Sequence, residues 1–390
     1  VLYPTSLTDF RTPKRFFYEQ HLRLQFRQPG AFEARTTAFV RPELNIYPLL
    51  VQAKPSNDSV VPNYIEPKVA VGVERRFGKH FFSTLAYNLQ GEKPFAYPGQ
   101  QIDTTLPTAL LSFPQLVTQI DFRDDPVHTH AGFAANVDLQ FAGGPFGGTA
   151  TDWRIQPDVE GYMPIAHGVT LAVSGTLGLL FPLNYGQSVE TGLPAGASAT
   201  DIQTVYFRGF FSGGPSSNRG YPLRGVAPHG FVPFLNPLTA KTQEANACDP
   251  TGLSPAQVSI LQQNPACSSP IGGFTQWEAT AELRFASSGP WGGVLFCDAG
   301  DVSQYVLFRK YPSNPGASAL RFNYLHLSCG VGGRYDTAVI PIRLDIGYRI
   351  PGMQILGQSQ PTQYDATFGA PPVLFTVLPI AVAFGIGESF

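Results

Sequence analysis

Apolar and polar residues alternate strictly along WEATAELRF, residues 277–285. Trp277, Ala279, Ala281, Leu283 and Phe285 share one face, and Glu278, Thr280, Glu282 and Arg284 share the other. A period of two is the mark of a strand with one oily and one wet side. The division returns in HLRLQFR, where Leu22, Leu24 and Phe26 oppose His21, Arg23, Gln25 and Arg27, and in GFAANVDLQF, where Phe133, Ala135, Val137, Leu139 and Phe141 oppose Asn136, Asp138 and Gln140. In PIRLDIGYRI, Ile342, Leu344, Ile346, Tyr348 and Ile350 oppose Arg343, Asp345 and Arg349. The pattern predicts thirteen strands, near 16–27, 32–44, 67–77, 80–90, 109–123, 132–142, 152–164, 168–181, 274–286, 292–300, 322–336, 341–351 and 378–390. Between the eighth and ninth lies a connection of roughly 90 residues, far longer than the usual few, and loops of that size are functional or disordered.

A soluble sandwich also alternates, so composition has to separate the two architectures. Charged residues make up only 14% of the 390, against roughly 25% in soluble domains. The polar faces carry charges of both signs, as a wet lumen allows, and the apolar segments have about the 9–11 residues that cross a bilayer at a tilt. With 40 glycines, 36 prolines, 2 methionines and 13% aromatics, the chain favours strands and turns over helices. The longest apolar run, VLFTVLPIAVAFGI at 373–386, is too short for a membrane helix and is broken by Pro379. The expected fold is all-β: a transmembrane antiparallel β-barrel occupying residues 1–390, with no second domain. A formal net charge of −2 without charged runs gives no pull toward nucleic acid.

Catalytic and metal chemistry find little support. His128 and His130 are two apart but lack a third ligand at suitable spacing and read as a solvated turn. Asp298 and Asp301 in DAGD, and Asp124 and Asp125 in RDDP, lack the ligand series of a calcium loop. No G-x-S-x-G occurs, and CGVGGR at 329–334 is not a dinucleotide fingerprint. The four cysteines have no C-x-x-C spacing and give no zinc signature. No enzyme, cofactor or metal is expected.

The long connection contains YFRGFFSGGPSSNRGYPLRGVAP, residues 206–228. It resembles the sixth extracellular loop of the outer-membrane assembly and translocation factors that include BamA and TamA, the bacterial surface antigen family, which carries a GG…(V/I)RG(F/Y) motif. Gly213, Gly214, Arg219, Gly220 and Tyr221 fill its positions, with Asn218 where the motif has Val or Ile. VTQIDFRDDPVHTHAGF resembles the family's D-x-R-D-x-P…G strand and turn. IGGFTQWEATAELRF, GGVLFCDAGDVS and the closing AFGIGESF continue the likeness in family order.

The resemblance implies a barrel of about sixteen strands, an even number as bacterial barrels generally have. It also implies a lid loop, here 184–272, folded back into the lumen, where Arg219 contacts the acidic residues Glu282 and Asp298. A guanidinium offers carboxylates a planar fork that a lysine lacks. Thirteen recognised strands leave two expectations: strands missed in residues 1–120, or a chain that starts inside a larger protein, since no POTRA-like module precedes the pattern. In the closing strand, Phe384, Ile386 and Phe390 match the family's terminal signal. Gly385 and Gly387 either weaken that strand as a seam or are ordinary small lumen-facing residues. The implied function is assembly of outer-membrane proteins: an insertase passing β-barrel clients through a lateral seam. The alternatives are a two-partner secretion transporter exporting a polypeptide through the lumen and, further off, a passive porin. Expected partners are outer-membrane lipids, unfolded clients and periplasmic accessory proteins or lipoproteins, in the bacterial outer membrane. An oxidising cell surface favours a disulfide between the loop residues Cys248 and Cys267, whereas Cys297 and Cys329, within strands, read as apolar filler.

Overall fold

The computed structural model describes residues 19–49, 63–95, 106–191, 198–221, 223–231, 268–286, 289–312, 314, 317–337, 341–350 and 380–387. The elements in chain order are β1 (Gln20–Arg23), β2 (Phe26–Pro29), β3 (Thr36–Pro48), β4 (Asn63–Arg76), β5 (Phe81–Phe95), β6 (Ala109–Asp121), β7 (Gly132–Ala142), β8 (Asp152–Ala166), β9 (Val169–Pro182), α1 (Gln187–Glu190), α2 (Ala199–Arg208), β10 (His229–Phe231), β11 (Ser268–Pro270), β12 (Thr275–Ala286), β13 (Trp291–Ser303), β14 (His326–Asp336), β15 (Pro341–Arg349) and β16 (Ile380–Ile386). Fourteen of the strands form one antiparallel sheet in sequence order, with β10 and β11 paired separately. Both β1 and β2 pair with β3 in one continuous register, 20–23 against 43–46 and 26–29 against 37–40. The gap between them falls opposite Pro42, which has no N–H to give the ladder.

The alternation read from the sequence is the sheet's two faces. Leu22, Val71, Leu116, Val173, Leu295, Val331, Leu344, Ile346, Tyr348 and Val382 are exposed on the outer face. An apolar surface of this extent is a membrane-contact surface rather than scattered exposure. Glu282, Asp298, Ser328, Arg334, Arg343 and Asp345 are buried on the inner face. Connections at one end are short, at 77–80, 167–168, 287–290 and 337–340, whereas those after β9, β13 and β15 are long. Short turns on one side and long loops on the other are usual for outer-membrane sheets. Among the described residues, no helix is long and apolar enough to cross a membrane.

The inner face curls around α2. Ile202, Val205 and Tyr206 of the helix share one buried cluster with Tyr64 of β4, Leu180 of β9 and Val302 of β13. Strands far apart in the sheet therefore meet across a single helix.

Closure into a barrel of about sixteen strands is not what the structure contains. The ladder runs from β1 to β16, and among the described residues no pairing joins its ends, so the fourteen-stranded sheet is open. Its end strands have few groups with which to pair: β1 has four residues, all exposed, and β16 has seven.

A second correction concerns the cysteines. Cys297 and Cys329 are not filler but partners in a disulfide across β13 and β14, at positions that lie directly opposite each other in the register. Cys248 and Cys267, expected to pair, lie outside the described residues.

Candidate functional site

The segment after β9 is led onto the inner face by α2. Ser198 caps the helix by accepting the Asp201 N–H at 3.3 Å, and Asp201 in turn accepts the Ser188 N–H at 2.7 Å. Along the helix, Gln203 donates to the Tyr64 hydroxyl at 3.2 Å and to the Pro107 carbonyl at 3.1 Å. At its end, Arg208 grips Asp152 through Nη2 at 2.6 Å and Nε at 3.0 Å, and donates to Gln140 at 2.8 Å. Burial alone would lower the Arg208 pKa, but the hydrogen bonds and charge of Asp152 outweigh it and hold the guanidinium above its ordinary value. Single rungs then join Phe210 to Gly273 and Ser212 to Val226. This delivers the glycine-rich stretch to the surface of β12–β15.

Gly213 and Gly214 take φ values of 96° and 124°, the left-handed region that other residues rarely enter. Ser217 donates to Glu278. Asn218 donates to the His326 carbonyl at 2.6 Å and accepts from the Ser328 hydroxyl at 2.8 Å. The departure from Val or Ile at this position thus has a structural reason, because the amide satisfies buried polar groups of β14. Gly220 donates to Ser328 Oγ at 3.0 Å. Tyr221 is buried, edge-on to His326 with ring centroids 5.5 Å apart.

Arg219 lies at the centre, 2% exposed. Its Nε and Nη2 form a fork on Asp298 at 2.8 Å each, and its backbone N–H donates to the same carboxylate at 2.9 Å. Nη1 donates to Glu282 at 2.6 Å and lies 3.7 Å from Asp345. The guanidinium carbon is 3.5 Å from the centroid of the Phe296 ring, a cation–π contact shielded from water. Arg284 holds the other oxygen of Glu282 at 2.9 Å, and Asp345 is shared by Arg334 at 2.6 Å and Arg343 at 3.2 Å. Four arginines and three carboxylates therefore interlock β12, β13, β14 and β15 with the loop. Close approach needs a bare floor. A Cβ on Gly220 would lie 2.3 Å from Ser328 Cβ, one on Gly347 2.7 Å from the Arg219 carbonyl, and one on Gly330 2.5 Å from the Phe296 ring.

Beside the clamp is a polar cavity of about 470 Å³ whose lining includes Asn136, Asp158, Thr176, Ser217, Arg219 and Asp298. Asp301 is taken up by Arg321, at 2.8 and 2.9 Å. In the 122–131 turn, His128 and His130 are exposed, and Asp125 accepts the Val127 and His128 N–H groups at 2.7 and 3.0 Å. These bonds, that of His128 first, hold its carboxyl below the ordinary value. No group of three or more His, Cys, Asp or Glu suited to a metal occurs among the described residues.

In β16, Phe384 is 67% exposed on the outer face. Gly385 faces Arg343, whose Nε would be 2.6 Å from a Cβ there. Ile386 ends the strand, and Gly387, with φ 89°, follows it rather than lying inside it. Phe390 lies outside the described residues.

The sequence reading did not include Asp345, Arg334 and Arg343 in the site, nor the anchor of Arg208 on Asp152. The polar phase of PIRLDIGYRI marks Arg343 and Asp345 as inward. Their meeting with Arg219 depends on how four strands are staggered.

The model of the Omp85 superfamily domain matches residues 14–390. The crystal structure of BamA from Haemophilus ducreyi lacking POTRA domains 1–3 aligns with a TM-score of 0.59 and 12% identity, over 85% of this chain and 59% of that one. CdiB from Acinetobacter baumannii aligns with a TM-score of 0.45 and 11% identity, over 85% of this chain and 47% of that one. The chain thus spans less than two thirds of either solved chain. No curated protein sequence matches it.

Proposed function

The chain belongs to the Omp85 superfamily, and on that premise we propose that it inserts unfolded β-barrel clients at the open end of its sheet. Superfamily membership carries an integral outer-membrane location and a general role in outer-membrane protein biogenesis or translocation, exercised without catalysis. The finer reading rests on one observation: among the described residues, β1 and β16 end the sheet without pairing to each other. A free strand edge offers a row of N–H and C=O groups that an incoming strand extends, the mode of β-augmentation. A client hairpin added to β16 satisfies its backbone groups before it meets lipid, where unsatisfied groups are costly.

The test is a photocrosslinking residue at Leu22 of β1, Val382 of β16 or Val173 of mid-sheet β9, in protein reconstituted with lipid and supplied with an unfolded barrel client. Client adducts are expected at the two edge positions and not at Val173. Equal yields at all three, or insertion without edge adducts, would overturn the reading. Adducts at Asn136 and Thr176 of the inner cavity instead would favour export of a polypeptide through the interior.

A further inference from the structure

We propose that the Cys297–Cys329 disulfide is a positioning element for the Arg219 clamp, fixing the register of the strands on which the loop docks. The clamp sets a demand that the two strands meet poorly on their own. Consecutive loop residues bridge them: Arg219 is held by Asp298 of β13, while Asn218 and Gly220 are held by Ser328 of β14. Asp298 and Ser328 are direct partners in the register. A slip of two residues keeps every side chain on its own face, so alternation does not oppose it, yet it separates these two groups by about 7 Å. The contacts they make with the loop are all 2.8–3.0 Å long and cannot survive that shift.

The same strands are weakly specified. Five of their ten rungs contain glycine, namely Gly292–Arg334, Gly293–Gly333, Val294–Gly332, Phe296–Gly330 and Gly300–His326. Glycine removes the cross-strand side-chain pairs that stabilise one register over another. Gly330 is needed all the same, since a Cβ there would strike the Phe296 ring on which Arg219 rests. The bare floor that admits the loop therefore leaves the register loose. The disulfide joins the rung next to Asp298–Ser328 on the opposite face, where it occupies none of the docking surface.

The experiment uses the full chain in detergent and follows tryptic cleavage after Arg219, a bond protected only while the loop is docked. Heat-modifiable gel mobility reports on the sheet separately. Replacing both cysteines (C297S with C329S) should raise cleavage about tenfold or more with the sheet still folded. Adding L295C and V331C, the next outward rung in the same register, should bring cleavage back to within about twofold of the parent. Reducing the disulfide in the folded parent, verified by thiol labelling, should release the loop to the same degree, so the test stands even if the serine variant misfolds. Unchanged cleavage after reduction, or an in-register crosslink that forms without restoring protection, would overturn the proposal. Because the readout is loop docking and not client insertion, its failure leaves the edge-insertion reading standing.

Discussion

Removing the Arg219 side chain tests the clamp most directly. Arg219→Ala deletes the fork on Asp298, the bond to Glu282 and the contact with Phe296, but keeps the backbone N–H on Asp298. Breaking a wholly buried ion pair from one side costs about 3–5 kcal/mol, because the partner is left charged and unpaired. Two features reduce that here. Glu282 keeps Arg284 at 2.9 Å, and Asp298 borders the polar cavity, where water can reach the orphaned carboxylate. A loss of about 2–3 kcal/mol of docking free energy is expected, which raises the undocked population roughly 30- to 150-fold. Hydrogen exchange at the Gly220 and Tyr221 amides reads this as a loss of protection: the Gly220 amide donates across to Ser328 of β14, and Tyr221, whose amide closes a turn on Asn218 within the loop itself, is buried against His326 of β14. Arg219→Lys keeps the charge but satisfies one carboxylate at a time and loses the planar stack, so about half the free energy should return. If the alanine variant retains parental protection at both amides, the loop is held by something other than the clamp.

Two further outcomes follow from the geometry. Gly220→Ala leaves every charge in place but sets a Cβ 2.3 Å from Ser328 Cβ, so it should expose the same amides to exchange, whereas Gly289→Ala, with nothing within 4 Å, should not. The 122–131 turn should depend on pH with a definite sign: Asp125 has a lowered folded pKa, so its contribution is present above the unfolded value of about 3.9 and is lost as pH falls through the folded value. Protection factors of the Val127 and His128 amides, referenced to the intrinsic exchange rate at each pH, should fall in that acid range, and Asp125→Asn, which keeps an acceptor oxygen but does not titrate there, should abolish the step.

Strand existence and facing were legible because alternation is a local property: each strand declares its wet side without reference to its neighbours. The motif stretch was legible for a different reason, its resemblance to a family. What could not be read is any relation between strands. Asp345 and Glu282 both lie on polar phases, yet their presence around one guanidinium follows from the stagger of β12 through β15. The disulfide is illegible for the same cause: within its own strand neither Cys297 nor Cys329 shows a partner, and only the register makes them opposite. The break between β1 and β2 comes from Pro42 on the partner strand, so nothing in HLRLQFR announces it. Helix α2 is the one omission with a local signal, since Ser198 precedes Ile202, Val205 and Tyr206 at helical spacing. CGVGGR, which is not a nucleotide fingerprint, supplies Gly330 to the docking floor.

The position of the clamp bears on how an open edge can work. Arg219 and its neighbours reach Glu282 on β12, Asp298 on β13, Ser328 on β14 and Asp345 and Gly347 on β15. The loop therefore ties together the four strands before the last, while β16, among the described residues, is paired only with β15, over seven rungs. On the proposed function, a strand added to the outer side of β16 would leave that one ladder to hold the edge, with the neighbouring strands held in place so that the sheet does not unravel behind it. On that proposal the clamp would supply this resistance from inside, where it would not compete with an incoming strand for the edge. On this argument the loop and the edge are coupled through β15: loosening the clamp should let fraying at β16 spread inward, so that protection of β15 amides falls in Arg219→Ala even though no bond on β15's backbone has been changed. Protection of β15 that is indifferent to the clamp would mean that loop and edge act independently.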